Sequence, residues 1–229
     1  MNKQHSSVKF KCLITSILQL IWLPCFIHIT EIKGTSQTAG SNKILERQVI
    51  VDLKETSVKD ALLYVSGKAK VKIGFIETMK KEERGKKITV QILRGTVRNI
   101  LDEIIIQDNS YKWEITNNII NVIPSCYPNE IANLKIGFLE LTNKRLDEVG
   151  TAILDVPEVQ IGIANLGKQQ TDEVKYSGPP RRTPVSIVLS NITVRDGLNE
   201  ILNKGFAGFW ALEMRGEESE FVRIMLYSA

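Results

Sequence analysis

Two stretches of the chain, TVRNILDEII (96–105) and TVRDGLNEIL (193–202), share Thr, Val, Arg, Leu, Glu and Ile at matching places. A duplicated segment must take up one local structure twice, so self-similarity restricts the fold more than composition does. The flanks extend the match. ITVQIL (88–93) precedes the first copy and PVSIVLS (184–190) the second, both rich in β-branched residues as half-buried strands are. YKWEIT and NIINVI follow the first copy, separated by the turn signal Asn117-Asn118. GFWALEMR and EFVRIML follow the second, joined by RGEESE.

The upstream halves correspond as a pattern. QVIVDL (48–53), TSVKDALLYVS (56–66) and VKIGFIE (71–77) parallel KIGFLEL (135–141), NKRLDEVGTAIL (143–154) and VQIGIAN (159–165). These read as strand, helix, strand. The chain is therefore expected to be α+β: two tandem β-α-β-β-α-β-β domains, over 45–124 and 133–228, each a small mixed sheet with two helices packed on it. At 229 residues, one or two domains of about 150 residues are expected.

Helix faces support this layout. Val58, Ala61, Leu62 and Val65 share a face, as do Val97, Ile100, Leu101 and Ile104. Val194, Leu198, Ile201 and Leu202 form the later stripe, with Gly197 where the first copy has Ile100. Thr56 or Ser57, Thr96, Asn143 and Thr193 suit N-caps, and Gly205 a helix end. PSCYPNE (124–130) reads as a boundary, and GKQQTDEVKYSGPPRRTP (167–184) as a loop inserted in the second copy.

The formal charge of +4 is concentrated at the start of the chain. Residues 1–34 hold Lys3, Lys9, Lys11 and Lys33 against Glu31 alone, so the remainder is close to neutral. A field that would gather nucleic acid is not expected. Three of those lysines precede an uncharged, mostly apolar run from Cys12 to Ile29, followed by GTSQTAGSN. That order is the layout of a signal peptide. The run is long enough, despite Pro24, for a retained membrane anchor to be the alternative, and Cys25 admits a lipid-modified terminus. Membrane contact is then expected only through this segment.

His5 and His28 both lie in that segment, leaving no histidine beyond it. Histidine-dependent triads, Cys-His dyads and most zinc sites are thereby excluded for an exported, processed chain. Cys126 stands alone beside two prolines, without an activating partner in the sequence. Asp60, Asp102 and Glu103 fall on outer helix faces, Glu217, Glu218 and Glu220 in a hairpin turn, and Asp172 with Glu173 in the inserted loop. No acid spacing fits a calcium loop, and no glycine-rich phosphate loop is present. No catalytic residue, metal or cofactor is expected. The exposed-looking basic pair Arg181-Arg182 is the one candidate for holding an acidic partner. Phe206, Phe209 and Trp210 read as core.

VDLKETSVKDALLYVSGKAKVKIGF and KKITVQILRGTVRNILDEIIIQDNSYKWEI resemble the short N-terminal domain of secretins and TonB-dependent receptors. Val51-Asp52-Leu53, Asp60-Ala61-Leu62, Ile88–Leu93, Val97–Ile105 and Tyr111–Thr116 carry the likeness, over about residues 49–123. The second copy departs from it at Asp147-Glu148-Val149 and through the inserted loop. The resemblance implies a periplasmic docking module in a Gram-negative bacterium, contacting envelope, outer-membrane or secretion and transport proteins, and not an enzyme. The alternative is a carboxylate-dependent hydrolase or carbohydrate-active protein, whose chemistry needs two converging acids and no histidine.

Overall fold

The computed structural model describes residues 43–77, 85–126, 130–170, 184–215 and 221–228. The expected targeting segment, Arg181, Arg182 and the acids Asp172, Glu173, Glu217, Glu218 and Glu220 lie outside them. The described residues belong to one compact unit of mixed α+β structure.

From Gln48 the order is β1 (Gln48–Ser57), α1 (Val58–Ala69), β2 (Ile73–Ile76), β3 (Lys87–Thr96), α2 (Val97–Gln107), β4 (Tyr111–Thr116) and β5 (Ile119–Pro124). After a 3-10 turn at Glu130–Asn133 come β6 (Lys135–Lys144), α3 (Leu146–Leu154), α4 (Pro157–Asn165), β7 (Gln169–Gln170), β8 (Val185–Thr193), α5 (Val194–Asn203), β9 (Phe209–Arg215) and β10 (Phe221–Tyr227).

Local chemistry accounts for the helix starts. Ser57 Oγ accepts from the Asp60 N–H at 3.1 Å, and Thr193 Oγ1 from the Asp196 N–H at 3.1 Å. Thr96 and Asn99 form a reciprocal box, with Asn99 N–H to Thr96 Oγ1 at 3.2 Å and Thr96 N–H to Asn99 Oδ1 at 3.0 Å. Asn143 does not cap α3. It sits in β6 at a φ of 53°, and the Glu148 carboxylate instead accepts from the Arg145 N–H at 2.9 Å.

The segment 159–165, expected as a strand, is helix α4. Pro157 presets its first turn, and Val159 and Ile163 are buried four residues apart while Ile161 is 61% exposed. Its alternation of apolar and polar residues fits both periods, and packing selects the helical one. The strand expected there is the two-residue β7, inside the stretch read as an inserted loop.

The strands divide into three sheets. β1–β3 and β6–β8 are separate antiparallel ribbons, where the sequence suggested strands of the main sheet. Each ribbon carries a bulge with one left-handed residue, Glu55 at φ 49° and Asn143 at φ 53°. In both bulges that residue's N–H reaches a hydroxyl on the partner strand, Thr89 at 3.3 Å and Ser186 at 3.0 Å. The extra residue bends the strand away, which separates the ribbon from the sheet beneath it.

The remaining strands form one six-stranded sheet in the order β4-β5-β2-β9-β10-β7. β5, β2 and β9 run parallel to one another, β4 opposes β5, and β9 opposes β10, which is parallel to β7. One face, including Phe75, Val122, Phe209 and Tyr227, packs under α1, α2 and the β1–β3 ribbon. The other, including Ile76, Trp210, Leu212 and Ile224, packs under α3, α4, α5 and the β6–β8 ribbon. A half-turn about an axis lying in the sheet across its strands, with a shift of three strands, carries β4-β5-β2 onto β9-β10-β7. It also exchanges the two faces. Each half therefore lays its helices over strands of the other as well as its own.

Candidate interaction edge and buried charge cluster

β4 and β9 occupy matching places, and their residues show it in detail. Trp113 Nε1 donates to Asp102 Oδ1 at 2.9 Å, and Trp210 Nε1 to Asn199 Oδ1 at 2.9 Å. Both pairs are eleven residues apart, and both link the last helix of a half to the strand after it. The same shift relates the first helical N–H of α2, bonded to Arg47 O at 2.9 Å, to that of α5, bonded to Leu134 O at 2.9 Å. The Trp–Asx pairs went unread in the sequence, although the spacing set by TVRNILDEII and TVRDGLNEIL carries each of the first pair onto the second.

The environments of the two tryptophans differ. Trp210 is fully buried, and Asn199 Nδ2 passes the contact on to Asn121 Oδ1 at 3.2 Å. β2 lies against the outer edge of β9, with Ile73 N–H to Gly208 O at 3.1 Å and Glu77 N–H to Leu212 O at 2.9 Å. The Trp210 indole overhangs β2 so closely that a Cβ on Gly74 would stand 2.4 Å from Cε2. Trp113 is only half-buried, with the Arg98 guanidinium 5.7 Å from its ring centroid.

At β4 the corresponding edge is open. Asn117 and Asn118, at φ 51° and 60°, form a two-residue hairpin turn that pairs Thr116 with Ile119. Lys112, Glu114 and Thr116 then bond to β5, and the amides of Trp113 and Ile115 face outward. These are the counterparts of Trp210 and Leu212, whose amides face β2. Among the described residues no strand pairs with this side of β4. Among the described residues β7 pairs with β10, at the other end, at Phe221 and Val222.

A second cluster joins the halves. Glu213 on β9, 1% exposed, receives Lys59 Nζ of α1 at 2.9 Å and, from β10, Arg223 Nε at 2.9 Å and Nη2 at 2.6 Å. Burial works against the Lys59 ammonium, but the Glu213 carboxylate outweighs it and the pKa lies above its ordinary 10.5. Burial of the neighbouring Tyr227 phenol pushes its pKa above 10.0. One carboxylate shared by two cations is a clamp across the sheet.

Beside it, Ser57, Lys59, Glu77, Lys86, Asp108 and Tyr111 line a cleft of about 150 Å³. Asp108 Oδ1 accepts from Ser110 N–H at 3.2 Å and Ser110 Oγ at 2.6 Å, while its buried Oδ2 has no partner among the described residues. Glu77 Oε2 accepts from Met214 N–H at 2.8 Å. These two acids were not singled out in the sequence, where Glu77 reads as the end of a strand.

Among the described residues, the acids that were singled out are Asp60, Asp102 and Glu103, and each serves a local contact. Asp60 serves the α1 cap, Asp102 holds Trp113, and Glu103 accepts from Gln107 Nε2 at 2.7 Å. Cys126 is exposed. Among the described residues no three of His, Cys, Asp and Glu gather closely enough to hold a metal ion, and no helix is long and apolar enough to cross a membrane.

The fold defines a mixed α+β protein with a central six-stranded sheet whose β4 edge is unpaired among the described residues. Compared with family models, curated proteins and solved structures, the chain matches none.

Proposed function

We propose that this chain is an exported protein–protein interaction module of a Gram-negative cell envelope. On this reading its halves are duplicates of one unit resembling the secretin and TonB-receptor short N-terminal domain. The open outer edge of β4 carries the proposal. Partners recognise such an edge by adding a strand, main-chain bonds supplying affinity and alternate side chains specificity. The near-neutral charge beyond residue 34 favours protein partners over nucleic acid.

The test is capture of envelope proteins by the purified chain and by its Ile115→Pro variant. Proline removes an outward N–H and leaves the hydrogen bonds of the β4–β5 ladder in place, while trimming the Ile115 packing against the core. A partner recovered by the wild type and lost with the variant is the expected result. Equal recovery by both, or none above background, overturns the proposal. Fractionation with intact-mass measurement reports compartment, cleavage and lipid attachment together.

A carboxylate-dependent hydrolase is the second reading, and the observation favouring it is that Glu77 and Asp108 line one cleft. It requires turnover of a glycoside or ester substrate that Asp108→Asn abolishes. The engagement of Glu77 with the Met214 amide weighs against it.

A further inference from the structure

We infer that the β4 edge accepts a short apolar segment of a partner protein, extended and parallel to β4, with a glycine facing Trp113. The inference rests on the interaction reading above and names the kind of strand that the edge selects. Its basis is an interface already present in the molecule. β9, the counterpart of β4, holds β2 on its outer edge as a parallel strand, Ile73-Gly74-Phe75-Ile76. Gly74 pairs with Trp210 in that register, and the indole occupies the space where any side chain at Gly74 would begin.

Trp113 is set in the same way. Its Nε1 bond to Asp102 reproduces the length and spacing of the Trp210 bond to Asn199, which orients the ring alike on its strand. The outward amides of Trp113 and Ile115 match those by which Trp210 and Leu212 hold β2. A strand added beside β4 therefore meets an overhanging indole at one position, and glycine fits there without displacing it. The position two residues after that glycine points to the face covered by α1 and α2, beside Ile115, as Ile76 shares the face of Trp210 and Leu212, and the positions on either side of the glycine point to the opposite face. The parallel direction is taken from β2, which runs parallel to β9 on the corresponding edge.

The experiment uses the full chain and a labelled synthetic peptide with the sequence of Val71–Glu77, VKIGFIE. Binding is followed by fluorescence anisotropy, and its location by chemical-shift changes at the Trp113 and Ile115 amides. Saturable binding is expected, weakened about tenfold or more by Ile115→Pro in the protein or by Gly74→Val in the peptide, one backbone bond or one steric clash being sufficient. In the Trp113→Ala protein the valine peptide should bind as well as the glycine peptide. A residue needed only for folding would not restore binding to one peptide.

No saturable binding, binding indifferent to Ile115→Pro, or equal affinity for both peptides in the wild type overturns the inference. So does concentration-dependent self-association that Ile115→Pro abolishes, because a second copy would then be the occupant. If an envelope protein is captured through β4 while the peptide fails, the register is wrong and the interaction reading stands. If the peptide binds as expected and no envelope partner is captured, the strand preference stands and the interaction reading fails.

Discussion

At Gly74 a side chain would begin 2.4 Å from the Trp210 indole, in a sheet interior that cannot yield. Gly74→Val should therefore cost about 3 kcal/mol through forced displacement of the ring, measured by chemical denaturation. Glu213→Gln leaves Lys59 and Arg223 without their shared charge and should cost a similar amount, about 3 kcal/mol. Replacing Lys59, Glu213 and Arg223 together by Met, Leu and Met should cost less than Glu213→Gln alone. No buried charge is then left uncompensated. The cluster also fixes a pH response. The folded pKa of Lys59 lies above its unfolded value, so its contribution is complete below 10.5 and is lost as pH rises through the folded value. Tyr227, raised above 10.0, acts in the same sense. Denaturation midpoints should be level through neutrality and fall above about pH 10, less steeply in Lys59→Met.

Among the elements, the helix caps offer the cleanest measurement. Thr193→Ala removes the hydroxyl that accepts from Asp196 N–H and should cost about 1 kcal/mol; Thr96→Ala, which breaks a reciprocal box, should cost at least as much. The caps Ser57, Thr96 and Thr193 and the buried stripes of α1, α2 and α5 are legible in the sequence. A hydroxyl before a stripe of 3.6-residue period leaves a local signature. Asn143 misleads because a left-handed bulge residue and an N-cap draw on the same side chains. α4 and β7 were hidden for a different reason. Val159, Ile161 and Ile163 satisfy a strand's alternation as well as a helix's face, and Gln169-Gln170 has no apolar rhythm at all. Pro157 at the first turn and the burial of Val159 and Ile163, with Leu134 packed against Gly162, decide between the two. The open β4 edge was no more visible. Which strand ends a sheet depends on pairings between residues far apart in the chain, and periodicity records only neighbours.

For the whole molecule, the shared sheet binds the fates of the halves together. A fragment of residues 43–126 would expose the sheet face bearing Ile76 and Ile119 and the β2 edge; a fragment of 130–228 would expose Phe209, Ala211 and Tyr227. Neither should give a dispersed amide spectrum alone, whereas an equimolar mixture should, by re-forming the β2–β9 pairing. Independent folding of either fragment would show that contacts across the sheet are dispensable. The position of β10 has a consequence for biogenesis. β10, which follows every other described strand in the chain, lies inside the sheet, between β9 and β7, with its side chains facing both cores. Until β10 leaves the ribosome neither core can close, and the strands made before it stay threadable. That suits the passage through a translocation channel that the proposed export entails.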